Sequence, residues 1–461
     1  MITERQPAAA PEAIDEYVFP QIDRVKIAVS RDTLPDKDNL LEQKRQFLAG
    51  EISEPHFTYS KNKTIWYDEG EIILLDLKHE LSVTRDLPEL IRMEYLYAIN
   101  EKIARIRMLR EIQLAEKDGR TEYHAKRFDA YSRFIYGAPD PEIFANVIGV
   151  LQSNLAASDI VATPQLEAAQ ARLEALIVTH ATLEIPDTIT PFPGEASEQS
   201  EEVLVDAAEL KKIFEDALGE VGLASSWKVE VDKAGTRGNI AVNSSVKKIR
   251  LPNSEQLALR IGSKKLTKQK IAGLIEHEIK THAVRQYNGS RSGLKLLGSG
   301  LRNYIEGEEG LASYREQQET KTDDYNGFSL YFAAGLAKGL DGGGPRAFAD
   351  VHKILTDYYF VKEKGKSEKA AADAAWNVCL RIFAGTTGTV PGMIFAKDIT
   401  YRKGNIATWH MMNDTNSEQF DLTMSLLDYG KFDPTSERQR QVVAYVKRSI
   451  TEADLIALDE N

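Results

Sequence analysis

A single cysteine, Cys379, occurs in 461 residues, so no internal disulfide can brace the chain. That usage fits a reducing compartment. Cys379 stands between Val378 and Leu380, a setting that suits a small buried hydrophobe better than a nucleophile. No window approaches the ~20 consecutive apolar residues that cross a bilayer. The opening "MITERQPAAAPEAIDEY" also lacks the basic and then apolar segments of a secretory signal. These absences lead to the expectation of a cytoplasmic protein with no membrane partner. Positive charge is short too: 58 Lys and Arg stand against 70 Asp and Glu, a formal net charge of -12. Nucleic acid is therefore not an expected partner, because it would need a local basic patch strong enough to overcome that field. Repeats of solenoid period are missing. Neither "NGSRSGLKLLGSG" nor "AGTTGTVPGM" ends in Gly-Lys-Ser/Thr or makes a dinucleotide fingerprint, so neither is a phosphate cradle. Each is an active-site loop or a plain turn.

What remains is ordinary globular composition, 42% hydrophobic and 28% charged, enough for a large core and more than one domain. Residues 1-15, rich in Ala, Pro and acid, read as a mobile tail. Residues 16-183 read as a helical N-terminal region. Within it, "PELIRMEYLYAINEKIARIRMLREIQLAEK" keeps helical spacing over many turns, "YGAPDPEIF" punctuates and starts a helix at Pro141, and "TPQLEAAQARLEALIVTH" follows. Residues 184-202, with prolines, a glycine and an acidic end, read as a linker. From 203 to 461 a second domain opens with the helix "VDAAELKKIFEDALGEVG". Short strands follow in "SWKVEVDK" and "GNIAVNSSVKKIRLP", whose apolar residues step by two. They predict a small, mainly antiparallel sheet just ahead of the stretch that carries the chemistry. The fold class expected is α+β, mostly helical.

That stretch is "KIAGLIEHEIKTHAVRQYNG". It holds two of the eight histidines within six residues. With His277 at zero on a helical wheel of about 100° per residue, Glu278 falls near 100° and His282 near 140°. Ile271, Leu274 and Ile275 fall at about 120°, 60° and 160°. Glu278 and His282 thus enter the apolar stripe, while Glu276 and Lys280 point outward. A carboxylate and an imidazole buried there cost several kcal/mol if unpaired, which argues for a bound cation. The alternative is a satisfied core histidine beside an edge glutamate. His-Glu-x-x-x-His has one residue more than the familiar motif with histidines four apart. Two imidazoles spaced so can meet one ion only if the helix widens, as a π-bulge does, or ends near Thr281. A catalytic zinc takes three protein ligands. A third is available in "LRNYIEGEEGLASYREQQE", where Glu309 shares a face with Ile305 and Ala312, and where Gly307 and Gly310 allow close helix approach. The same acids also read as a solvated helix face.

At these residues the chain resembles a known family. "HEIKTHAVR" followed by "EEGLA" is similar to the metallopeptidase family of the microtubule-associated tyrosine carboxypeptidase, whose bacterial relatives carry a QEGLA motif. "YGAPDPEIF", "IRLP" and "FAKDITYRKG" agree in order, and the likeness spans about residues 40 to 440. The resemblance implies a zincin-like metallopeptidase domain beside the HExxxH helix, with Zn2+ held by His277, His282 and Glu309 and with Glu278 as general base. It also implies that the longer ligand spacing is a family trait. Lys280 stands where the family usually has Gly, and Glu308 stands where QEGLA begins with Gln. The reaction would be removal of a C-terminal residue, tyrosine or another bulky one, from a peptide or protein tail. Tyr401 is the candidate oxyanion donor, or else a core tyrosine with a satisfied hydroxyl. Arg285, Arg381 and Lys397 are candidates to hold the substrate carboxylate, or else partners of structural acids such as Asp398. Tubulin is a doubtful substrate, its tail being acidic like this chain. Two other readings stand beside this one. The first is an N-terminal peptidase resembling dipeptidyl peptidase III. The second is a non-catalytic regulatory protein with a structural zinc site.

Overall fold

The computed structural model describes residues 11-59, 65-84, 88-156, 163-178, 206-232, 240-243, 246-255, 267-322, 324-365, 367-414 and 420-459. The expected linker at 184-202 lies outside them. The chain is mostly helical, with one small sheet. The first helix, Pro11–Arg24, begins inside the stretch expected to be a tail. Its Asp15 is buried and accepts hydrogen bonds from the Tyr95 hydroxyl and from the Lys295 backbone N–H, the latter at 2.7 Å.

The long apolar periodicity becomes the helix Glu89–Asp118, closed by Gly119 in the left-handed conformation. Pro141–Ala156 and Pro164–Val178 follow as their start signals predict. Apolar faces of these helices, including Tyr95, Ile99, Phe144 and Leu151, share one core with residues from the second half of the chain, including Leu297, Phe332, Trp376 and Val443. Among the described residues no helix is long and apolar enough to cross a membrane.

A second core surrounds the sheet. Ala207–Glu220 is capped by Asp206, whose carboxylate accepts from Ala208 and Glu209 N–H, both at 2.8 Å. Its Leu210 and Phe214 pack with Trp227, Val229, Ile249, Leu251, Ile271, Ile279 and Ala283. The strands are β1 (Lys228–Val231), β2 (Ala241–Asn243) and β3 (Lys248–Leu251), in the order β1-β3-β2. The sheet is mixed rather than mainly antiparallel: β1 runs parallel to β3, and β2 antiparallel to it. Alternation in a sequence reports that a strand has one buried face, but not the direction of its neighbour. Here the most buried strand, β3, takes the centre and pairs on both sides.

Two glycines fix how the later helices meet. A Cβ on Gly310 would lie 2.2 Å from the Gly404 carbonyl oxygen, and one on Gly404 would lie 1.8 Å from the Glu306 carbonyl oxygen. The helices Tyr304–Thr320 and Thr400–Asn413 therefore touch backbone to backbone. Gly310→Ala is expected to destabilise the fold by about 1–3 kcal/mol or more. Gly219→Ala, at a helical position with open space around it, is expected to stabilise by about 0.5–1 kcal/mol. Chemical denaturation of both variants checks the pair, and equal effects would contradict the close-approach account.

Candidate metal centre

The histidine stretch is not uniform helix. Lys268–Ile275 is α-helical and capped by the Thr267 hydroxyl, which accepts from Lys270 N–H at 3.0 Å. Glu276–Ala283 then winds as a π-helix, and Val284–Arg291 resumes the α form. A π turn bonds residue i to i+5, so side chains five apart stack. His277 and His282 accordingly face each other, their ring centroids 5.0 Å apart. Two contacts brace the wide turn. Buried Thr281 donates from Oγ1 to the Glu276 carbonyl at 2.8 Å. Arg315, from the helix Tyr304–Thr320, donates from Nη1 to the Lys280 carbonyl at 2.9 Å. Lys280 itself is partly exposed and pairs with Glu276 at 2.6 Å.

Both imidazoles turn Nε2 toward one atom. Glu309 Oε2 lies 3.8 Å from His277 Nε2 and 3.8 Å from His282 Nε2. Behind the rings, each Nδ1 meets a carboxylate at 2.9 Å: Glu316 Oε2 for His277 and Glu308 Oε1 for His282. A carboxylate only accepts, so it claims the Nδ1 proton, and the neutral ring then presents its Nε2 lone pair. Glu278 is the fourth group. Ligand atoms of His277, Glu278 and His282 lie within 4.8 Å of one another. Among the described residues the Glu278 carboxylate makes no hydrogen bond or ion pair. Two acids thus flank the histidines, both close enough to share an ion with them. Glu309 offers one oxygen equidistant from both lone pairs, while Glu278 stays uncommitted beside them.

This donor set fits Zn2+. Zn–N bonds of ~2.0–2.1 Å space tetrahedral ligands about 3.4 Å apart. The observed Nε2–Oε2 spacings of 3.8 Å are somewhat longer than that. Imidazoles backed by carboxylates are also the usual outer arrangement of metal-bound histidine.

The electrostatics show a site short of positive charge. Burial opposes the charged form of His277. The Glu316 bond and the charges of Glu278, Glu309 and Glu316 outweigh it and lift the imidazolium pKa to about 9. Burial raises the Glu278 carboxyl, with the like charges of Glu309 and Glu316 adding to it. Glu316 is held down to about 2: burial acts upward, but His277 and Lys270 prevail.

Of the carboxylate-clamp candidates, Lys397 and Arg381 both lie beside Tyr401, Arg381 Cζ 5.8 Å from its ring centroid. The Tyr401 phenol is pushed up to about 12, first by the charge of Glu309 and then by burial. The Lys397 ammonium feels Glu309 as well and sits 5.5 Å from the Tyr401 ring centroid. Arg381 is committed to Asp398, Nε to Oδ2 at 2.7 Å. Arg285, a candidate clamp or else a partner of a structural acid, is fully buried and bonded to Glu308 and to the Phe432 carbonyl. Glu316 and Lys431 escaped the sequence reading. Glu316 was findable, lying two turns beyond Glu309 on the same face. No local signal marks Lys431, which arrives from a distant segment.

Residues 167–324 match the family model described as microtubule-associated tyrosine carboxypeptidase. The matched stretch contains the π turn and Glu309; Lys397 and Tyr401 lie beyond it. No curated protein and no solved structure matches the chain.

With its folded pKa of about 9 above the ordinary 6.5, His277 contributes stability to the metal-free protein that is complete below about pH 6.5. That contribution is lost as pH rises through 9. The unfolding temperature of the metal-free chain should therefore fall across this window, and His277→Gln should flatten the fall. Differential scanning calorimetry at several pH values reads this, and a wild-type profile level from pH 6.5 to 9 would contradict it.

Proposed function

We propose that the chain is a zinc-dependent carboxypeptidase that removes a terminal tyrosine or another bulky residue from a peptide or protein tail. The family match supports a peptidase of carboxypeptidase type. The observation that carries the zinc reading is the meeting of His277, His282 and Glu309 at one point, each imidazole held from behind by an acid. A bound zinc supplies two things there: it brings the pKa of a water toward ~7, and it polarises the scissile carbonyl.

The remaining roles belong to the protein's side chains. Glu278, uncommitted and with its proton affinity raised, takes the proton of the attacking water and delivers it to the leaving amine. Tyr401 keeps its phenolic proton throughout the neutral range and donates a hydrogen bond to the developing oxyanion. Lys397 binds the substrate's terminal carboxylate. Its ammonium stands 3.5 Å from Asp398 Oδ1, over the Tyr401 ring and within the field of Glu309. Lys397 is preferred to Arg285, which is buried against Glu308 and the Phe432 carbonyl, and to Arg381, whose Nε holds Asp398 at 2.7 Å. The setting proposed is the cytoplasm, and the acidic tubulin tail is not the proposed target.

Glu278→Gln is expected to keep one zinc per chain and to lose ~10²–10⁴-fold in kcat/KM. Tyr401→Phe is expected to lose ~10²–10³-fold, mostly in kcat, and Lys397→Met to act mostly on KM. Mass spectrometry of a random-ended peptide library identifies the cleaved end. N-acetylated peptides should be shortened and C-amidated ones spared. The opposite pattern would favour an N-terminal peptidase, and full activity of Glu278→Gln would remove the base.

A further inference from the structure

Glu308 is only 2% exposed, and it gathers three partners. Its Oε1 meets His282 Nδ1 at 2.9 Å and lies 3.4 Å from Lys431 Nζ. Its Oε2 accepts from Arg285 Nη1. Each cation is itself fixed. Arg285 donates from Nη2 to the Phe432 carbonyl at 2.7 Å and lies over the Phe432 ring, 5.0 Å from its centroid. Lys431 is pinned through its backbone: its N–H donates to Leu297 O at 2.7 Å, and its carbonyl accepts from Leu301 N–H at 3.0 Å.

Sealing an anion and two cations away from water costs more than sealing a neutral group of the same shape. Gln, with which the QEGLA pattern begins, would be that neutral group. It would hold the imidazole less strictly, since its oxygen can accept from Nδ1–H but need not. An amide can turn its NH2 toward Nδ1, which would force the imidazole proton onto Nε2 and close the metal side. A carboxylate has no such second orientation. The other histidine is held differently. Glu316 pairs with Lys270, whose side chain is 47% exposed, so that holder is open to solvent and salt.

We propose that Glu308 is the positioning residue of His282, its carboxylate keeping the Nε2 lone pair toward Glu309, and that Lys431 and Arg285 are the counter-charges that let an acid occupy this place. This rests on the zinc reading above. E308Q alone would remove the anion from beside two buried cations, so the informative variant is E308Q/K431M, which removes one charge of each sign at nearly constant volume.

The double variant should unfold close to the wild-type temperature when metal-free. It should bind Zn2+ 10–100-fold more weakly in competition with a chromophoric chelator. A folded double variant that binds Zn2+ as tightly as wild type overturns the proposal. Should the variant not fold, imidazole nitrogen NMR on the wild-type protein decides. His282 carrying its proton on Nδ1 supports the proposal, and a proton on Nε2 overturns it. Wild-type protein that takes up no Zn2+ contradicts the proposed function instead, and the nitrogen shifts still report the tautomer.

Discussion

On a regular α-helix His277 and His282 would point about 140° apart. The π turn over Glu276–Ala283 removes that divergence and brings the rings to 5.0 Å. The other features of the site make sense only once the two imidazoles share a face. Glu309 Oε2 is then equidistant from both, and Glu278 stands beside the same two rings rather than at a helix edge. A π turn is a poorer helix than the α form and persists where something holds it. Thr281 and Arg315 hold this one, bonding carbonyls at its start and middle.

The rest of the architecture serves to bring a second helix against that turn. Gly273 admits the Glu309 helix at the N-terminal side, where a Cβ would lie 2.7 Å from Thr320 Cγ2. Gly310 admits the helix that carries Tyr401 on the other side. Small residues thus sit where backbones must approach, and the functional acids sit next to them on the same helix. The small core around Phe214 and Ile249 anchors the histidine helix from behind through Ile271, Ile279 and Ala283. The large core does the same for the later helices.

Much of this was legible in the sequence, and the limits have physical causes. Helices with caps or Gly stops, such as Ala207–Glu220 and Glu89–Asp118, show themselves through local signals. That the helix must widen or end near Thr281 for the two imidazoles to converge followed from spacing, and the chain takes the first course. Strand direction was not legible, since β1 and β3 alternate alike whichever way they run. Arg285 was left open between clamp and structural partner, and only the fold brings Glu308 and the Phe432 carbonyl to it. Lys431 could not be foreseen at all, because its contact with Glu308 joins segments that only the fold brings together. Local periodicity reports which face is buried; it does not report which distant charge will be waiting there.

The account has an acidic chain spending two imidazoles and a group of buried carboxylates on a place that attracts a cation, with an unengaged Glu278 beside it. Anomalous diffraction at the zinc edge from crystals grown with Zn2+ tests this most directly. One strong peak about 2.1 Å from His277 Nε2, His282 Nε2 and Glu309 Oε2 is the predicted result. A peak elsewhere, or one bound by Glu278 with Glu309 turned away, would contradict it.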